Sequence, residues 1–237
     1  MEHARGNRAL VTRLALLGVF VLSAYLRLVR LGLSAFRADT MEFWKICHHE
    51  PPLSVGQIWS QWLELLGRTS QFPFTLAFTK GFLDLFRLPP TDAMIRLPGA
   101  LFGILAIPFA YLAGRLAGGR RLGLFFALLL ALCPMHIQTS REAYFYSPML
   151  PGSVMLVWGL LYAWRYRRRP QPFPARFYVI TCLGFLLTAY SHLTGWWLCA
   201  LVVPMTLAIL AKRSVRTPDV QQPTANTQPH HAPSRAT

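Results

Sequence analysis

Six long apolar runs dominate the hydrophobic pattern of this chain, and short polar or arginine-rich segments separate most of them. Each run is about 15–23 residues, close to the roughly 20 residues that an α-helix needs to cross about 30 Å of hydrocarbon. The pattern therefore predicts an all-α fold, a polytopic membrane helix bundle with about six transmembrane helices. The predicted spans are residues 9–31, 97–114, 122–140, 147–164, 177–191 and 195–211.

The segment between the first two spans, residues 32–96, is far longer than an ordinary connection and is rich in Trp, Phe and Leu. Loops of this length that are not disordered usually carry function. Residues 53–66 and 73–88 repeat apolar side chains at helical spacing, with polar residues on the other face. We therefore predict a long outer loop that contains interfacial amphipathic helices, at a depth that Trp favours.

Composition agrees with a membrane protein, because 54% of the residues are hydrophobic and only 14% are charged. An average soluble domain carries about 25% charged residues. With six spans, 15 of the 24 basic residues and 2 of the 9 acidic residues fall on one side of the membrane. The positive-inside rule makes that side cytoplasmic and places residues 32–96 outside. Both termini are then cytoplasmic, and we predict an integral protein of a bacterial inner membrane.

The high net charge of +15 does not indicate a nucleic-acid partner. The basic residues flank predicted spans, where they fix topology and meet the lipid bilayer, and no basic soluble domain is present to bind nucleic acid. Arg27 and Arg30, near the end of the first run, are predicted to be snorkelling anchors. We divide the chain into a transmembrane domain, residues 1–213, and a disordered cytoplasmic tail, residues 214–237, which is rich in Pro and Gln.

Polar clusters on the predicted outer face are the candidates for chemistry. Carboxylates and imidazoles at a membrane surface can act as general bases or hold a divalent cation, and arginine can pair with a phosphate. Each cluster also has a structural interpretation: a helix cap, a solvated loop histidine, an interfacial ion pair or a buried histidine near a helix end. The candidate residues are Arg37, Asp39, Glu42, His48, His49, Glu50, Arg96, Arg141, Glu142 and His192.

Several short motifs occur here in an order that resembles a known family. An acid follows the first span at Asp39, and Pro51-Pro52-Leu53 precedes an amphipathic helix. Arg96-Leu97-Pro98 opens the second span. Leu132 to Ile137 (LCPMHI) and Ser140 to Tyr146 (SREAYFY) end the third, and Ser191-His192-Leu193 follows the fifth. The set resembles the N-terminal half of GT-C superfamily glycosyltransferases of family 39, the dolichyl-phosphate-mannose protein mannosyltransferase group, which is related to the lipid A aminoarabinose transferases.

The resemblance implies transfer of a sugar from a polyprenyl-phosphate donor to an acceptor on the outer face. It implies Asp39 as general base, with Glu42 as a substitute for a second acid, because Thr40 stands where the family has Glu. Substrate-binding roles are implied for Glu50, Arg96, Arg141, Glu142 and His192. Use of a divalent metal is left open, with Glu50, His48 and His192 as candidate ligands.

The sequence also departs from the family pattern. Thr40 and Tyr144 replace charged residues, and relatives carry further spans beyond the region matched here. A second chain that supplies the missing half is therefore one expectation. The alternative function is a non-catalytic GT-C-like membrane partner or a lipid-linked sugar carrier.

Overall fold

The computed structural model describes residues 2–33, 41–65, 73–168 and 171–214, and every regular element in these ranges is a helix. This confirms the all-α prediction. The helices are α1 (Glu2–Leu28), α2 (Met41–Cys47), α3 (Val55–Leu65), α4 (Phe74–Phe86), α5 (Asp92–Gly118), α6 (Arg120–Leu132), α7 (Pro134–Arg141), α8 (Met149–Tyr166), α9 (Ala175–Ala189) and α10 (Leu193–Ser214).

Helix α5 lies at the centre of the bundle and contacts α1, α6, α7 and α8. In its most apolar stretch 67% of the residues are buried, against 11% in α1 and 22% in α10. Helices α1 and α10 therefore present most of their apolar surface outward, as lipid-facing helices do. Leu14, Leu17 and Val21 of α1 and Leu201 of α10 are among these exposed side chains.

By length and hydropathy, α1, α5 and α10 can each cross a membrane within the described part of the chain. A fourth span is possible if α6 and α7, which meet at an angle of 57°, act as one. Helices α8 and α9, with 18 and 15 residues, coincide with the predicted fourth and fifth spans but do not meet the same test. The predicted count of six stays a prediction.

The predicted third span is not one continuous helix. Helix α6 ends at Leu132, Cys133 adopts an extended conformation, and α7 starts at Pro134. The cause is local, because a proline disfavours helical geometry at the residue before it and cannot donate a backbone hydrogen bond. The carbonyl groups of Leu130 and Ala131 consequently need partners from elsewhere in the bundle.

The two amphipathic helices predicted in the outer loop are present as α3 and α4. Ser54 caps α3: its hydroxyl accepts a hydrogen bond from the backbone N–H of Gln57, and the Gln57 side chain accepts one from the backbone N–H of Ser54. This is a capping box. Helix α4 has 13 residues, so its length of about 20 Å is too short for a span. The placement of the two helices along the membrane plane stays a prediction.

Candidate functional site

One end of the bundle brings together four of the five predicted substrate-binding residues: Arg96, Arg141, Glu142 and His192. There α1 ends, α5 begins, α7 ends and α8 begins, and the turn between α9 and α10 lies beside them. We call this the site end. The segment that links α7 to α8, Glu142–Pro148, runs through its middle.

Helices α2, α3 and α4 pack onto this linking segment as one apolar cluster. Phe43 of α2 meets Phe145 edge to face, with ring centroids 5.0 Å apart, and the Thr75 hydroxyl of α4 donates to the Phe145 carbonyl at 3.1 Å. Phe145 is completely buried. The long outer loop and the motif after α7 are therefore parts of one packed unit. The buried members of this cluster are Phe43, Ile46, Ile58, Leu76, Ala77, Leu83, Ile95, Ala143 and Phe145.

Arg141 holds the C-terminal end of α1. Its guanidinium donates to the carbonyl oxygens of Leu26, Val29 and Arg30 at 3.2, 3.0 and 3.1 Å. The last carbonyls of a helix have no partners within that helix and carry partial negative charge, so a cation here is favourable. Arg30 adopts a left-handed conformation, with φ of 53°, that ends the helix.

Arg96 lies in the first turns of α5, and its side chain is buried beside the same end of α1. Its Nη1 donates to the Leu31 carbonyl at 3.4 Å. Gly32, just after α1, also lies close to Ala93 in the first turn of α5. The end of α1 and the start of α5 are therefore in direct contact here. Arg96 and Arg141 together fix the place from which the chain leaves α1 toward Asp39.

Glu142 caps the end of α7. Its backbone N–H donates to the Gln138 carbonyl, and its carboxylate accepts from the Gln138 side-chain amide at 3.4 Å. Gly99 of α5 lies directly beneath it: a Cβ at that glycine would come within 2.9 Å of the Glu142 carbonyl oxygen. Glycine at position 99 is what allows the central helix to approach the linking segment this closely.

His192, in the turn between α9 and α10, is nearly buried and stacks on Tyr146, with ring centroids 4.3 Å apart. The Thr194 backbone N–H donates to His192 Nδ1 at 3.1 Å. The neutral ring therefore carries its proton on Nε2, which donates to the Tyr146 hydroxyl oxygen at 3.2 Å. Burial lowers the pKa of His192, so the fold favours the neutral form.

A buried pair, Arg27 and His136, was not predicted as part of the site end. Arg27 is not a snorkelling anchor: its side chain is fully buried and donates to the Leu130 and Ala131 carbonyls that Pro134 leaves without helical partners, at 3.3 Å each. It also lies 2.6 Å from His136 Nδ1. The available signal was the four-residue spacing of Arg27 from Ser23, whose hydroxyl accepts from the same guanidinium at 2.8 Å.

The structure does not describe the side chains of the two predicted catalytic residues, Asp39 and Glu42. Asp39 and Thr40 lie outside the described residues. Glu42 lies in the first turn of α2, but its side chain is not described. Arg37 also lies in the undescribed segment.

The predicted metal ligands are dispersed in what the structure describes. His48 stacks on Trp44 and its Nδ1 lies 2.9 Å from the Trp44 carbonyl, His49 Nδ1 is 2.8 Å from the Pro51 carbonyl, and Glu50 is exposed. Across residues 2–33, 41–65, 73–168 and 171–214, no three His, Cys, Asp or Glu side chains form a group that could hold a metal ion.

Comparison with known proteins supplies the family. Residues 70–187, about half of the chain, match the family model for dolichyl-phosphate-mannose-protein mannosyltransferases. The matched range runs from α4 to α9 and includes Arg96, the Pro134 break and the whole linking segment. No curated protein and no solved structure matches the chain. The match agrees with the motif order in the sequence, and the chain belongs to the GT-C-type membrane glycosyltransferases of the dolichyl-phosphate-mannose-protein mannosyltransferase family.

Proposed function

We propose that this protein transfers a sugar from a polyprenyl-phosphate-linked donor to an acceptor hydroxyl on the outer face of a bacterial inner membrane. The observation that carries the proposal is the packing of α2–α4 onto Phe145. This contact joins the helix that follows Asp39 to the part of the chain that matches the family.

The transfer is a displacement at the anomeric carbon of the donor. The acceptor oxygen bonds to that carbon, the bond between the carbon and the phosphate oxygen breaks, and the lipid phosphate leaves with the electron pair. Asp39, as an ionised carboxylate, takes the hydroxyl proton as the new bond forms. The lipid tail of the donor stays in the bilayer beside the helices.

The other site residues have supporting roles in this proposal. Arg96 and Arg141 hold the end of α1, from which the chain continues to Asp39, through their hydrogen bonds to its carbonyls. Their proposed role is to stabilise the negative charge that gathers on the leaving phosphate. Glu142, Glu50 and His192 are proposed to contact donor or acceptor, with Glu42 as a second acid. Glu50, His48 and His192 stay the candidate ligands for a divalent metal, and no step of this proposal is assigned to them in that role.

A non-catalytic role is the second candidate, and Thr40 is the observation that favours it. The family has a second acid at that position, and Tyr144 likewise replaces a charged residue. In that case the protein is a membrane partner of a catalytic chain or a carrier of lipid-linked sugar. A second chain that completes the enzyme is compatible with both candidates.

The decisive variant is Asp39→Asn, which keeps the shape of the side chain and removes the base. We expect transfer of labelled sugar from prenyl phosphate to fall by about 100-fold or more, the range expected for a lost general base. Asp84→Asn is the matched control, because Asp84 pairs with Lys80 of its own helix, α4, and is half exposed. Near-normal turnover in Asp39→Asn rejects the catalytic role. An inactive wild type, even with a partner chain present, supports the non-catalytic candidate, and Thr40→Glu is then the substitution to test.

A further inference from the structure

An apolar groove runs along the bundle from the level of the α6–α7 break, where Leu130 and Cys133 line it, to Ala117 near the C-terminal end of α5. It is bounded by α5, α6, α8 and Leu198 of α10, and its volume is about 590 Å³, within the range of about 300–1,000 Å³ of ligand cavities. Small residues of α5 form its floor: Ala110, Ala113, Gly114 and Ala117. Its walls include Phe126 and Val157, both partly exposed.

A second cavity of about 560 Å³ continues the groove toward the end of α8. The two share Ala117 and Leu161 in their linings. The second cavity is different in chemistry, because Arg165, Arg167 and Arg168 line it together with Trp164. We call it the arginine cavity. It lies about 30 Å from Arg96, given 21 helical residues from Arg96 to Ala117.

One of these arginines is held in place. Arg167 donates from Nη1 to the Trp164 carbonyl at 2.8 Å, and its guanidinium carbon lies 3.8 Å from the centroid of the Trp164 ring. Trp at the end of a membrane helix favours the headgroup depth. The cavity therefore has a fixed cation beside an aromatic ring that marks the bilayer interface.

Acidic residues are scarce in the part of the sequence that carries these arginines. Between Asp92 and Asp219 the sequence contains a single acidic residue, Glu142, and that residue lies at the site end. No carboxylate among the described residues pairs with Arg165 or Arg168. The C-terminal segment 215–237 is not a suitable occupant by charge, since it carries Arg216 and Arg235 against Asp219 alone.

We propose that the groove and the arginine cavity together form a binding site for an anionic phospholipid of the leaflet at this end of the bundle. The phosphate headgroup binds Arg165, Arg167 and Arg168, and one acyl chain occupies the groove between α5, α6 and α8. Basic pockets between membrane helices bind acidic headgroups through charge, and an adjoining apolar groove selects a lipid over a free anion. The site is separate from the one proposed for the sugar donor.

The test uses the full-length purified protein and measures retained lipid by native mass spectrometry during titration. Phosphatidylglycerol is the probe and phosphatidylcholine the neutral comparison. The double variant Arg165→Gln with Arg168→Gln should lose about 10- to 30-fold in affinity for phosphatidylglycerol, since each arginine near a headgroup is worth about fivefold. Its matched control is Arg120→Gln with Arg121→Gln, two exposed arginines at the same end that do not line the cavity.

A second variant addresses the groove. Val157→Trp fills it from a partly exposed wall position, so we expect weaker phosphatidylglycerol binding without a loss of thermal stability. Equal losses from both arginine pairs would show a diffuse charge effect and overturn the proposal. Equal affinity for phosphatidylcholine, unchanged binding in Val157→Trp, or displacement by inorganic phosphate at similar concentration would overturn it as well.

Discussion

At the scale of single residues, the contact between His192 and Tyr146 sets the direction of hydrogen bonding at the site end. His192 Nε2 donates to the tyrosine oxygen because Nδ1 accepts from the Thr194 backbone. The Tyr146 hydroxyl hydrogen is then available to donate onward, and among the described residues no acceptor for it is found. His192 is proposed to contact donor or acceptor, and a neutral hydrogen-bond donor beside it suits an anionic leaving group.

Tyr146→Phe tests this hydrogen bond. A hydrogen bond to a charged group is worth about 1.5–3 kcal/mol, so sugar transfer should fall about 10- to 100-fold while the melting temperature changes little. Tyr178→Phe is the control, since Tyr178 is 48% exposed on α9. Unchanged transfer in Tyr146→Phe, measured with the same labelled donor, would show that the hydroxyl does not contact the reacting phosphate.

The lowered pKa of His192 also predicts a pH dependence of stability. The fold favours the neutral ring, so its contribution is present above the unfolded-state pKa of about 6.5 and is lost as the pH falls below that value. The melting temperature of the wild type in detergent should therefore decline from pH 7.5 to 5.5, and His192→Gln should make the decline shallower. Parallel curves for wild type and His192→Gln would contradict this assignment.

At the scale of the elements, the break between α6 and α7 and the burial of Arg27 are one structural device. Pro134 leaves carbonyl groups without helical partners, and Arg27 supplies donors to them from α1. The arrangement depends on a glycine in α5, because a Cβ at Gly103 would lie 2.3 Å from Ser140 Cβ and 3.0 Å from Arg27 Nε. Helices α1, α5 and α7 can pack together around the Arg27 guanidinium only because position 103 has no side chain.

Gly103→Ala should destabilise the protein by about 1–3 kcal/mol, the usual cost of forcing one extra carbon into a packed core. Gly18→Ala is the matched control: it makes the same change inside α1, where no atom lies within 4 Å, and alanine is the better helix former. Thermal unfolding in detergent should lower the midpoint for position 103 and leave it equal or higher for position 18. Equal midpoints for the two variants would mean that α5 can move away from α7.

The sequence pattern was sufficient for the helices but not for what they bury. Apolar runs and amphipathic spacing located nine of the ten described helices, or parts of them, and the family motifs located the site end. The fate of Arg27 and Arg141 could not be read from the pattern, because both satisfy backbone carbonyls of segments more than 100 residues away. Periodicity describes the face on which a side chain lies, and it does not identify which broken helix will meet that face.

At the scale of the whole molecule, the two ends of the bundle have different chemistry. The site end contains Glu142, His192 and Tyr146 with two arginines that are bonded to backbone carbonyls. The other end has exposed arginines at positions 115, 120, 121, 165 and 168 and no acidic residue in the α5–α6 or α8–α9 connections. Such asymmetry is typical of a membrane protein oriented by the positive-inside rule.

Topology can be measured with single cysteines in a background from which the four natural cysteines are removed. We expect an impermeant maleimide added to intact cells to label Gln61→Cys in α3. It should spare Arg120→Cys, at the start of α6, and Gln171→Cys, before α9, until the membrane is opened. All three positions are exposed. The pair at 120 and 171 also tests the span count, because the two lie on opposite sides if just one of the bent pair α6–α7 and α8 crosses the membrane. Labelling of position 120 but not of position 61 would show the opposite orientation, with the candidate site inside. Labelling of positions 61 and 171 but not of position 120 would show that only one of α8 and the bent pair α6–α7 crosses the membrane.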